Sequence, residues 1–144
     1  MESEQIPYCI AMVLCDAAHR DPGTGKFTLL GTFGRIFGKE VPIPALFCVY
    51  FAITDGAGKM SVSLKIVDSA TSLNDDESEE PIIQIGGEFD PPDRLAILEG
   101  VFGVAVRFPK PGVYHCELWV RDECLMSRRL VVTLIEKSEP PHVE

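Results

Sequence analysis

Hydrophobicity in this chain repeats every two residues, and that period restricts the fold more than any other feature. Met60, Val62, Leu64 and Ile66 alternate with Lys59, Ser61, Ser63 and Lys65, the pattern of a strand with one dry and one wet face. Phe47, Val49, Phe51 and Ile53 alternate in the run before it, and Phe102, Val104, Val106 and Phe108 in a later one. Asp55-Gly56-Ala57-Gly58 between the first two runs carries the glycines of a hairpin turn.

The same reading gives strands over Ile6–Cys15, Phe27–Phe37, Pro81–Phe89, Leu95–Phe108, Val113–Arg121 and Cys124–Ile135. Asp21-Pro22-Gly23-Thr24-Gly25-Lys26 reads as a turn, and Val41-Pro42-Ile43-Pro44 as a loop or extended connector, because two prolines suit neither a helix nor a central strand. Gly86-Gly87 predicts a bulge or a bend. The one helical candidate is Arg94–Glu99, with Asp93 capping a turn or two. These elements predict an all-β fold: an immunoglobulin-like antiparallel β-sandwich of about seven to nine strands. Tyr114-His115-Cys116 after Pro109-Lys110-Pro111-Gly112 has the spacing of a tyrosine corner, although Trp119 lies after that cysteine rather than on an earlier strand.

A chain of 144 residues is one domain's worth. Residues 1–5 read as a flexible start, 6–136 as one sandwich with an acidic loop at 69–80, and 137–144 as a disordered acidic tail. Asp75, Asp76, Glu77, Glu79 and Glu80 sit in that loop, and Glu2, Glu4, Glu136, Glu139 and Glu144 at the ends. Setting those ten acids and Lys137 aside leaves 12 acids against 12 bases, so the net charge of −9 belongs to a loop and two tails. Nucleic acid and anionic membrane are therefore poor partners, since both are bound through clustered Lys and Arg. Arg128-Arg129 is the one basic pair, and alternation sends its side chains to opposite faces.

The acidic start of the chain lacks the form of a secretory signal, and no apolar run reaches the length of a spanning helix. Five cysteines without a C-x-x-C spacing read as reduced thiols in a cytoplasmic protein. Cys9 and Cys15 lie about 20 Å apart on one strand and cannot bridge.

Catalytic motifs do not assemble. Gly25-Lys26 lacks the glycine, hydroxyl residue and helix of a phosphate-binding loop, and His19-Arg20-Asp21 lacks every other kinase segment. His115 and Cys116, like Cys15 and Asp16, are strand neighbours that point to opposite faces, so neither pair forms a nucleophile with its base. No cofactor is implied. The acidic loop is dense enough to attract a divalent cation, but it lacks the Asp-x-Asp-x-Asp-Gly order of a preformed site.

Outward-facing positions remain. With Tyr114, Cys116, Leu118 and Val120 inward, His115, Glu117, Trp119 and Arg121 face away from the core, and Trp and Arg are enriched where proteins touch. Val101, Ala105 and Arg107 on the preceding strand are expected to share that face.

Leu14-Cys15-Asp16, Gly25-Lys26 and Leu29-Leu30-Gly31-Thr32-Phe33, with the closing Pro111-Gly112-Val113-Tyr114, resemble a family of small bacterial single-domain β-sandwich proteins of unknown function. The likeness runs from about Ile10 to Ile135. It departs at the acidic loop and at Gly34, where many relatives carry Asp. The resemblance implies the fold and a bacterial source, and no chemistry. The sequence thus points to a non-enzymatic protein-binding or assembly module, with a protein partner or self-association. A sandwich binding a small ligand or divalent metal through its end loops, and a cysteine-dependent enzyme, are the alternatives.

Overall fold

The computed structural model describes residues 6–56, 58–69 and 80–135. Among these residues nine strands form two sheets: β1 (Tyr8–Arg20), β2 (Phe27–Thr32), β3 (Arg35–Gly38), β4 (Ile43–Thr54), β5 (Met60–Asp68), β6 (Ile83–Phe89), β7 (Leu98–Phe108), β8 (Gly112–Val120) and β9 (Glu123–Leu134). The four-stranded sheet has the order β2-β1-β4-β7, and the five-stranded sheet β3-β9-β8-β5-β6. Leaving out the extra hairpin strand β2 and the short β3, this is an immunoglobulin-like connectivity: β1, β4 and β7 take the places of strands A, B and E. β5, β6, β8 and β9 take those of C, C′, F and G. No strand among the described residues takes the place of D, so β7 is an edge.

Alternation builds the core as expected. Phe47, Val49, Phe51 and Ile53 from one sheet meet Met60, Val62, Leu64 and Ile66 from the other, all buried. Phe102, Val104, Val106, Phe108, Leu118 and Leu130 belong to the same cluster. Tyr114 is fully buried, and its hydroxyl donates to the Lys110 carbonyl at 2.6 Å. That is the tyrosine corner its spacing announced.

Six local expectations are corrected. Asp55–Gly58 is not a hairpin turn but an arch, because β4 and β5 belong to different sheets; the positive φ of Asp55 and Gly58 serves the crossing between layers. Phe27–Phe37 is two strands, with β2 in one sheet and β3 in the other. β3 pairs parallel with β9, so the sandwich is not wholly antiparallel. The prolines do not keep Ile43-Pro44 out of β4, because β1 has left β4 by Cys15↔Cys48 and no ladder bond is asked of Pro44 on that side. Gly86-Gly87 makes no bulge, since β5 and β6 pair in unbroken register. Arg94–Glu99 is not a helix: Asp93 caps one turn, accepting from Leu95 N at 2.9 Å, and β7 begins at Leu98.

Candidate protein-contact surface

The two outer faces of the sandwich differ in kind. On the five-stranded sheet, β8 and β5 present Ser63↔Trp119, Lys65↔Glu117 and Val67↔His115 as opposed pairs. Trp119 faces outward as the alternation predicts, but its own neighbours occupy it. Its indole N–H donates to Glu117 Oε1 at 3.0 Å, and Lys65 Nζ sits 4.1 Å from the ring centroid. His115 lies on this face opposite Arg129. Arg121 lies in the β8–β9 turn with φ 57, and its guanidinium donates to the Lys59 carbonyl at 3.3 Å. It ties that turn to the arch rather than flanking the indole.

Arg107 does not share the Trp119 face. It lies on β7, in the other sheet, with Val101 and Ala105. The strand that precedes β8 in sequence is not its neighbour in space, so Arg107 and Trp119 stand on opposite sides of the sandwich.

The outer face of the four-stranded sheet is built from small and apolar side chains. Opposed pairs across it are Val13↔Tyr50 and Cys15↔Cys48 from β1 to β4, then Tyr50↔Val101, Cys48↔Gly103 and Leu46↔Ala105 from β4 to β7. Half of this face is covered. Beyond Cys15 the β1–β2 hairpin bends over it and sets Phe27 against Tyr50, with ring centroids 5.4 Å apart and Arg20 above the Phe27 ring. The Tyr50 hydroxyl donates to Glu99 Oε2. Burial and that carboxylate push the Tyr50 hydroxyl up to about 12. Cys15 is fully buried there although it points away from the core.

The other half stays open. Leu46 is 79% exposed beside a shallow groove of Asp16, Cys48, Gly103 and Ala105. A second depression continues from Pro44 and Leu46 to Arg107 at the β7 edge. Sequence alternation could have marked Leu46 as outward, but only the strand pairing shows that, among the described residues, no strand pairs with it on the β1 side.

Other candidate chemistry does not gather here. Of the acidic loop, Asp75, Asp76, Glu77 and Glu79 lie outside the described residues, and Glu80 is exposed. Among the described residues no three His, Cys, Asp or Glu side chains converge on one point. Burial raises the thiols of Cys9, Cys15 and Cys124, and pushes Cys116 up to about 12. A raised pKa keeps a thiol protonated and a poor nucleophile at neutral pH. No helix among the described residues is long and apolar enough to cross a membrane.

DUF6941, a family of unknown function, matches residues 10–133. The chain belongs to that family. The match takes in every strand except the first residues of β1 and the last of β9, so it covers the hairpin, the open strip and the Trp119 face together. A comparison with curated proteins finds no match.

Proposed function

We propose that the chain is a non-enzymatic, cytoplasmic protein-binding or assembly module. Its contact surface is the open strip of the four-stranded sheet around Leu46 rather than the Trp119 face. The carrying observation is the exposure of Leu46 on a floor of Cys48, Gly103 and Ala105. A leucine left that open on a flat, small-residue floor loses water favourably when a partner covers it, at about 25 cal/mol per Å² of apolar surface. Trp119 supports the reading less well, because Glu117 and Lys65 already engage both its N–H and its π face. Raised thiol pKa values count against a cysteine nucleophile, and five unbridged cysteines suit a reducing compartment.

The test is site-specific photo-cross-linking in cells, with a benzophenone amino acid placed at Leu46, at Trp119 or at Glu88. An adduct of defined mass from Leu46 alone is the expected result. Adducts from Trp119 alone, or none from Leu46, refute the assignment.

A further inference from the structure

β7 is an 11-residue edge strand, and its ladder with β4 runs from Ile43↔Phe108 to Ile53↔Leu98 without a register shift. Long, regular edges are templates for another strand, and proteins usually blunt them with a proline, a lysine, a bulge or shortness. β7 has no proline, lysine or bulge and is not short; its two charges, Glu99 and Arg107, are of opposite sign. The place beyond it, where strand D closes an immunoglobulin sheet, holds no strand among the described residues.

The residues of β7 that face outward read Glu99, Val101, Gly103, Ala105, Arg107. This row is complementary to its own reverse. Antiparallel pairing of two such strands about Gly103 sets Glu99 opposite Arg107 twice, Val101 opposite Ala105 twice, and Gly103 opposite Gly103. Opposite charges directly across a ladder stabilise it, and like charges oppose it. Gly103 stands at the centre of this row. Its φ is not in the left-handed region, and a Cβ there would meet nothing within 4 Å. Its own fold therefore does not require a glycine.

We propose that the free edge of β7 pairs antiparallel with the same edge of a second copy, about a two-fold axis at Gly103. The two four-stranded sheets then become one continuous sheet of eight strands, and the contact is isologous, as in most homodimers. The open strips around Leu46 come to lie on either side of the axis on one face. The pairing uses the strand edge, so it stands whether or not that face docks a further partner.

Sedimentation velocity over a concentration series, on the full chain, tests it. The wild type forms a dimer. Arg107→Glu and Glu99→Arg each replace two attractive pairs by two repulsive ones and weaken the dimer on the order of thirtyfold. Mixing the two variants restores association, because every 99–107 pair then joins Arg to Glu; this outcome also shows that both variants fold. In a Cys48→Ser, Cys124→Ser background, Gly103→Cys forms a covalent dimer on mild oxidation. Val101→Cys does not, since its two copies lie roughly 13 Å apart in this register, beyond the reach of a disulfide.

A wild type that stays monomeric throughout overturns the proposal. So does a dimer that Arg107→Glu leaves intact, which places the contact elsewhere, the Leu46 strip included. Slow exchange, in a monomer, of those β7 amides that point away from β4 also overturns it, because another segment of the same chain then fills the edge.

Discussion

Gly100 and Gly103 stand three residues apart on β7, yet the structure assigns them opposite responses to the same substitution. Gly100 is buried directly opposite Phe51 in the ladder. A Cβ at Gly100 would sit 2.6 Å from Cζ and 2.9 Å from Cε2 of that ring. Carbon atoms pack best at about 3.5–4.0 Å, so the ring would have to retreat by roughly 1 Å. It has nowhere to go. Phe51 is fully buried, stacked on Phe102 at 5.3 Å and edge-on to Phe89 at 5.8 Å. Overpacking of this kind costs about 1–3 kcal/mol. Replacing glycine also restricts the unfolded chain, which returns about 0.5–1 kcal/mol. Gly100→Ala is therefore expected to destabilise by about 1–2 kcal/mol, a fall in Tm of roughly 3–8 °C for a chain of this size. Gly103→Ala keeps the backbone gain and meets no atom within 4 Å, so it should be neutral or stabilising by up to ~1 kcal/mol. Urea unfolding of dilute protein, followed by the fluorescence of Trp119, the single tryptophan, reads both, with m unchanged. The double variant Phe51→Leu, Gly100→Ala should lose less than the two singles combined, since leucine lacks the ring tip that clashes. Equal effects at the two glycines, or a Gly100→Ala protein as stable as wild type, would refute the packing argument.

Tyr114→Phe removes the corner bond to Lys110 O. Because Lys110 is exposed and its carbonyl can turn to water, the loss should be near 1 kcal/mol rather than the larger cost of an orphaned buried acceptor; an unchanged urea midpoint would show that the corner adds nothing. Cys116 and Tyr50 release protons near 12 in the fold, against ordinary values of 9.0 and 10.0. Between those values the unfolded chain has already lost protons that the folded chain retains. These two groups should thus add no pH dependence below pH ~9, and stability should fall as pH rises from there towards 12, with a shallower fall in Cys116→Ala. Iodoacetamide at neutral pH should label exposed Cys124 first and the buried Cys15 and Cys116 last; peptide mapping that finds Cys116 modified early would contradict its burial.

Which side chains are inside was legible in the sequence, because a period of two marks a dry face wherever it occurs. Which strand lies beside which was not. The arch at Asp55–Gly58 and a hairpin turn use the same glycines and flank the same alternating runs; the difference is whether the second run turns back beside β4 or crosses to the opposite sheet. The split of Phe27–Phe37 is hidden for a related reason, since Phe33 packs edge-on against Phe47 at 5.4 Å and keeps the apolar pattern running through the corner. Chain order alone sets Arg107 beside Trp119, whereas among the described residues β7 pairs only with β4, some fifty residues earlier. Of the contact surface, the outward direction of Trp119 could be read from alternation. Its capture by Lys65 could not, because that contact needs the β5–β8 register.

The open strip and the covered half of the same sheet have one cause. β1 is 13 residues long but stays with β4 only as far as Cys15↔Cys48. Had it continued straight, Ala17 would lie beside Leu46 and the sheet would be closed on that side. Instead the chain departs at Asp16, and the departure is built into the side chains. Gly31, with φ 68, packs so closely on the Asp16 carboxylate that a Cβ there would overlap it. β2 then carries Phe27 back over Tyr50, which holds Glu99 through its hydroxyl. The hairpin therefore shields one end of the outer face and fixes the acidic end of the β7 row, while the same bend leaves Leu46, Ala105 and the basic end at Arg107 uncovered. A single excursion of β1 thus produces both the apolar strip and one charged end of the self-complementary edge. Shortening the hairpin should disturb the Glu99 end of β7 before it touches the core.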